Sequence, residues 1–274
     1  MHGEDNTPDR EDEDQSPVHC GTGRTRLFVG ADLAAGAEIV LNADQSHHLC
    51  VVLRAKVGEP VLLFNGRDGE WQGMIETAHK KAARIVLKKQ TRPQNEGADI
   101  WLLFAPVKRA RIDFMVEKAT EMGASHLAPV LTERTNVGRV NLARLEATAR
   151  EAAEQCGLLG MPSLAEPVSL ARLLTDWGTL AGDRTLIFCD EWAPPGSTPG
   201  ALEALRAELG ATPRLALLVG PEGGFSPAER ERLMRLGFVR GISIGPRILR
   251  AETAVVAGLT ALQMMLGDWR LPAS

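Results

Sequence analysis

Leu217-Leu218-Val219-Gly220-Pro221-Glu222-Gly223-Gly224-Phe225-Ser226-Pro227-Ala228-Glu229 joins an apolar run to a helix start through a loop with three glycines in five residues. After its leading arginine, the run RLALLV (214–219) has the unbroken apolar character of a strand covered on both faces. Ser226 to Glu229 reads as a capping box with proline at the first helical position, and Gly237 ends that helix. The glycines bare the backbone N–H groups at a strand's carboxyl end, where open α/β sheets bind ligands. Taken alone, such a loop equally suits an ordinary glycine-rich turn.

A second segment, Ile242 to Ala254 (ISIGPRILRAETA), repeats the plan: a short strand at 242–244, Gly245-Pro246, two arginines (Arg247 and Arg250), then a helix. The two loops close adjacent strands at the C-terminal end of the chain. A dinucleotide-binding fold would instead carry GxGxxG beside the first strand of its domain. IWLLFAPVKR (100–109) has no such glycines, and GPEGG is not that fingerprint, so a nicotinamide enzyme is disfavoured.

Working outward, strand-like and helical segments alternate from residue 98. Strands are expected at 100–105, 126–131, 185–189 and 214–219, and helices at 109–122, 142–156 and 252–267. Ile112, Met115, Val116 and Ala119 share one face of the first helix, with Gly123 as its stop. Asn141 is placed to cap the second. Val255, Leu259, Leu262 and Leu266 form a stripe on the last, with Met264 and Met265 flanking it. Such alternation predicts an α/β domain with a mostly parallel sheet. Before it, short apolar runs broken by turns (EIVLN, VVLRA, EPVLLFNGRDGEW, ARIVLKK) predict a small β-barrel or sandwich, with a hairpin at Asn65–Gly69. TRPQNEG (91–97) reads as the linker.

Composition bounds the function. Hydrophobic residues at 44% and charged residues at 24% are the mix of a soluble globular chain. No apolar run reaches membrane-spanning length, and the acidic start has no signal-peptide core. The four cysteines form no CxxC pair, so neither a zinc site nor a disulfide framework is expected and a reducing compartment fits. The net charge of −4 comes from residues 1–20, which hold seven acids and one arginine; residues 21–95 hold eleven Lys/Arg against seven Asp/Glu. Charge therefore permits a nucleic-acid partner without requiring one.

GPEGGFS followed by IGPRILRAETA resembles the RsmE-type 16S ribosomal RNA (uracil-N3)-methyltransferases of the SPOUT superfamily. The likeness extends through RLFV, HHLCVVLR with Arg54, KRARIDFMVEKATEMGAS, TERT with Arg134 and EAAEQC with Glu151, Glu154 and Gln155. One departure is Glu154-Gln155-Cys156-Gly157-Leu158, where the family has an arginine soon after its EQ pair. A second departure is the acidic tail (1–22), which is an addition to the family pattern and whose composition predicts disorder. The resemblance implies a PUA-like RNA-binding β-barrel (23–92) and a SPOUT domain (98–270) with a C-terminal trefoil knot. It also implies a cytoplasmic homodimer that acts on 16S ribosomal RNA or the small ribosomal subunit, with no metal and no membrane.

S-adenosylmethionine is then expected on Leu218, Val219, Gly220, Pro221, Glu222, Gly223 and Gly224 from one loop and Ile244, Gly245, Pro246 and Leu249 from the other. RNA is expected on Arg24, Arg26, Arg54 and Arg134. A uridine imide must lose its proton before attacking a methyl group, and a fixed guanidinium favours the resulting anion. Arg250 ends the second loop and is the expected catalytic residue; Glu222 is the nearest acid, equally suited to accepting the proton or to capping local N–H groups. Rival readings are a SPOUT enzyme for transfer RNA or another ribosomal nucleotide, and a non-catalytic RNA-binding assembly factor. Because residues 1–20 have so little apolar content, their deletion is expected to leave the melting temperature unchanged. A large drop in a thermal scan would make the tail structural.

Overall fold

The computed structural model describes residues 25–136, 139–210 and 213–270. The acidic tail and Arg24 lie outside the described residues.

The N-terminal part is a five-stranded sheet. Its strands are β1 (Arg26–Phe28), β2 (Glu38–Val40), β3 (Pro60–Phe64), β4 (Glu70–Thr77) and β5 (Arg84–Arg92), in the spatial order β1-β3-β4-β5-β2. The expected hairpin at 65–69 joins antiparallel β3 and β4. HHLCVVLR is helical as far as Val52. Helix α1 (Ala43–His47) runs into a π-helical turn at His48–Val52, which seats Leu49 in the core beside Leu63, Ile75 and Ile85. The chain then leaves at Arg54, whose φ of 55° makes it the one non-glycine with positive φ among the described residues.

The second sheet begins at β6 (Ile100–Phe104) and continues through α2 (Arg109–Glu121), β7 (His126–Leu131), α3 (Leu142–Cys156), β8 (Ser163–Leu164), β9 (Val168–Ser169), α4 (Leu170–Thr175) and α5 (Trp177–Leu180). It is completed by β10 (Thr185–Cys189), α6 (Thr198–Leu209), β11 (Leu215–Val219), α7 (Pro227–Met234), β12 (Val239–Ile242) and α8 (Ala251–Leu266). Strand order is β12-β10-β11-β6-β7-β8, with β9 also on β7, and every pairing is parallel. Alternate side chains feed opposite faces. Leu215, Leu217 and Val219 meet α2, α6 and α8, while Ala216 and Leu218 meet α4 and α7.

Two expectations need correction. The last strand is Val239–Ile242, not 242–244: its pairing with β10 runs from Leu186↔Val239 to Cys189↔Ile242, and Ser243 and Ile244 already belong to the loop. The strands carrying the two glycine loops are also not adjacent, because β10 lies between β11 and β12. The stripe on α8 is as expected, with Val255, Leu259, Leu262 and Leu266 all buried.

The two sheets are clasped at the C-terminal end of α3. Arg26 Nε donates to Glu70 Oε2 at 2.7 Å; its Nη1 donates to the carbonyls of Ala153 (2.9 Å) and Glu154 (3.0 Å), and Nη2 to that of Leu158 (2.7 Å). Arg92 Nη2 donates to Glu70 (2.9 Å) and to the Gly157 carbonyl (2.8 Å). These carbonyls are the unsatisfied acceptors of a helix end, where cations are favoured. The geometry corrects the expectation for Arg26. Its side chain is 11% exposed and committed to internal partners, so it joins the two parts of the chain rather than facing a phosphate. Glu154 is likewise internal, accepting from the Phe28 N–H at 2.9 Å, and burial pushes its carboxyl up.

Burial pushes the Glu70 carboxyl upward, but hydrogen bonds from Arg92 and Arg26 outweigh it and hold the group below the usual carboxylate range. A depressed carboxylate contributes stability above its unfolded value, and that contribution is lost as pH falls through the folded one. Glu70→Ala leaves two guanidiniums without their shared acid and should cost about 3–5 kcal/mol near neutrality. Denaturant titration should show this deficit shrinking as pH falls below the usual carboxylate range; a deficit independent of pH would contradict the clasp.

Candidate active site

Because the strands run parallel, the segments after β10, β11 and β12 leave the sheet from the same edge. They enclose a cavity of about 170 Å³. From the β11 loop, Val219, Gly220, Pro221 and Gly224 line it; from the β12 loop, Ile244, Gly245, Pro246, Arg247 and Leu249 do so. Leu218, Glu222 and Gly223 do not. Leu218 points into the opposite core, and Glu222 turns outward to form an ion pair with Arg111 of α2.

The third wall, Cys189-Asp190-Glu191-Trp192 with Pro195, follows β10. The sequence reading missed it because it carries no glycine fingerprint; its signal was an apolar strand ending in Cys-Asp-Glu. Asp190 is buried and receives Arg230 Nε and Nη2 at 3.0 and 2.7 Å, which fixes α7 beneath the β11 loop. The Asp190 N–H donates to the Ile242 carbonyl at 2.9 Å, and Thr198 Oγ1 donates to the Ser243 carbonyl, so all three loops are tied to one another. Desolvation pushes the Cys189 thiol up to about 12, so it stays neutral and unreactive. Trp192 is 72% exposed at the rim.

The glycines divide by what surrounds them. A Cβ on Gly220 would stand 2.7 Å from the Phe225 ring, and one on Gly224 would stand 2.8 Å from Glu191 Oε1 at a φ of 67°. A Cβ on Gly223 would meet only the Arg134 side chain at 3.6 Å, an ordinary contact. Gly223 instead presents its carbonyl to Arg134 Nη1 at 2.7 Å. Arg134 is therefore placed against the outer side of the β11 loop. Arg250 is exposed as the N-cap residue of α8, next to Ala251, which lines the cavity. Arg54 is exposed on the first sheet's helical corner. Among the described residues, no cluster of three or more His, Cys, Asp or Glu could hold a metal, and no helix is long and apolar enough to cross a membrane.

Residues 93–263 match the RNA methyltransferase domain family, and residues 41–88 match the RNA methyltransferase PUA domain. The chain is 30% identical over 245 residues to the ribosomal RNA small subunit methyltransferase E of Synechocystis sp., covering 88% of this chain and 78% of that one. It is 27% identical over 241 residues to its counterpart from Rickettsia conorii, covering 88% and 95%. The fold matches the crystal structure of ribosomal RNA small subunit methyltransferase E from Neisseria gonorrhoeae bound to S-adenosyl methionine. That match has a TM-score of 0.77 at 25% identity and covers 90% of this chain and 100% of the other.

Titration calorimetry with S-adenosylmethionine should separate the glycines. Gly220→Ala and Gly224→Ala are expected to weaken binding at least tenfold, about 1.4 kcal/mol, because the first presses on the Phe225 ring and the second strains a backbone held at a φ of 67°. Gly223→Ala should bind like the parent. Equal losses at all three would mean that loop composition, not these close approaches, sets affinity.

Proposed function

The chain belongs to the RNA methyltransferase family, alongside the ribosomal RNA small subunit methyltransferases E, and we propose that it methylates N3 of a uridine in 16S ribosomal RNA with S-adenosylmethionine. The observation that carries this reading is the convergence of three loops on one cavity at the carboxyl edge of the sheet, with Gly220 against the Phe225 ring and Gly224 at a positive φ that side chains rarely adopt.

The residues present fit the cofactor. Val219, Ile244 and Leu249 offer apolar walls, and the Gly220 and Gly224 backbones allow close approach. When bound, S-adenosylmethionine supplies a methyl group on a positively charged sulfur, so no metal is called for.

The chain's own contribution is to hold the uridine and stabilise its anion. Arg250 has no ion-pair partner among the described residues and stands at the cavity's edge. Its permanent charge there favours the deprotonated imide, whose negative charge spreads onto two carbonyl oxygens. Glu222 already holds Arg111, which suits it to fixing the loop better than to accepting the imide proton, and that proton passes to solvent water. Arg54 and Arg134, both exposed, serve the RNA strand, with Arg24 as a further contact.

The segment 243–250 crosses from β12 at the sheet's edge to α8, which packs on α2 and α6 over β11; such a crossing suits the trefoil knot. Met264 is 60% exposed on α8, opposite the buried stripe, and supplies an apolar contact for a second copy. A ribosomal substrate places the reaction in the cytoplasm.

Single-turnover methylation tests the catalytic assignment. Arg250→Ala and Arg250→Lys are expected to slow the transfer at least about a hundredfold with cofactor affinity kept. Parallel loss of rate and affinity would make Arg250 a binding residue, and near-normal turnover would remove it from the mechanism.

A further inference from the structure

The sheet has a second opening at its carboxyl edge. Phe104 of β6 pairs with Val219 of β11, and the Ala105 N–H donates to the Val219 carbonyl at 2.9 Å, so residues 105–108 leave the sheet directly beside the cofactor loop. They lead into α2. Between the amino-terminal ends of α2 and α3 lies a cavity of about 320 Å³, separate from the one lined by the glycine loops.

Three cations line it: Lys108, Arg139 and Arg144. Among the described residues no carboxylate pairs with Lys108 or Arg139, and both are exposed. Arg144 is paired through Nη2 with Asp113 Oδ1 at 2.8 Å, but its Nε is buried without a hydrogen-bond partner. Asp113 Oδ1 is likewise buried without a hydrogen bond, so this pair sits behind the cavity wall and leaves Lys108 and Arg139 as the cations facing outward.

The helix ends add to this. Lys108 caps α2 without a side-chain hydrogen bond, so N–H groups of its first turn remain available. Neither α2 nor α3 carries an acid in its first turn. The α3 end is capped by the Asn141 side chain, so the uncapped end of α2 is the one that meets the unpaired Lys108 and Arg139 at this cavity, while Asp113 is committed to Arg144.

We propose that this cavity binds a phosphate of the RNA backbone next to the target nucleotide, through Lys108 and Arg139, with Arg144 lining the wall behind them. The proposal rests on the methyltransferase reading above. One turn of α2 separates Lys108, at this cavity, from Arg111, which holds the cofactor loop through Glu222. A strand anchored here thus passes the mouth of the cofactor cavity. The chemical class of ligand is a phosphodiester in a polynucleotide; the room available admits one with its water.

The test uses the full chain, in vitro transcribed 16S ribosomal RNA, and the variants Lys108→Ala, Arg139→Ala and Arg139→Lys. RNA affinity is measured across a salt series, together with S-adenosylmethionine affinity and melting temperature. Each alanine variant is expected to weaken RNA binding several-fold and flatten the salt slope by about 0.7, the value for one phosphate contact on a single strand. Cofactor affinity and melting temperature should match the parent. In methylation assays KM for RNA should rise more than kcat falls, and Arg139→Lys should recover most of the loss. Unchanged affinity and slope in both alanine variants would overturn the site. A cavity that takes only inorganic phosphate would appear as phosphate-dependent thermal protection lost in Lys108→Ala with RNA slopes unchanged, and this also overturns the proposal. A parent chain that binds the RNA without methylating it counts against the reaction, while the salt slopes still decide the phosphate site.

Discussion

The parallel pairing of β10 between β11 and β12 is the constraint from which the site follows. In register with Leu215–Leu218 on one side and Val239–Ile242 on the other, β10 brings three chain segments to the same height at one sheet edge. Each then turns into a helix, and the turns meet. The Asp190 carboxylate, buried under the meeting point, takes Arg230 from α7, and its N–H reaches the end of β12. A buried acid with a bidentate partner and backbone bonds is costly to disturb. The loops are consequently held by the sheet and by one another before any ligand arrives, which is the preorganisation that group transfer needs.

The same logic connects the two parts of the chain. An α-helix ends with carbonyls that need donors, and α3 obtains them from Arg26 and Arg92 of the first sheet, with Glu70 holding both guanidiniums in place. The sheet that carries Arg54 is thereby fixed to α3, whose opposite end borders the basic cavity at Arg139 and Arg144. Charged hydrogen bonds thus help to set the orientation between the first sheet and the cofactor pocket.

Much of this was legible because periodicity and turn chemistry are local. The helix at 142–156, the capping box at Ser226 and the stripe on α8 are set by residues a few positions apart, and the structure reproduces them. What could not be read depends on pairing across the chain. The slot of β10 between the two glycine-bearing strands, the wall at Asp190–Trp192 and the internal role of Arg26 all require knowing which strand lies beside which. α6 (Thr198–Leu209) was also missed, although the buried Leu202 and Leu205 stand at helical spacing. Gly223 resembled Gly220 and Gly224 in sequence, and only the positions of Phe225, Glu191 and Arg134 distinguish them.

The most direct measurement is nucleoside mass mapping of 16S ribosomal RNA from cells lacking this chain, from cells with it restored, and from cells restored with Arg250→Ala. One methylated uridine, modified at N3, should vanish without the chain, return with the parent and stay absent or strongly reduced with the variant. An unchanged uridine methylation map in the deletion would contradict the account.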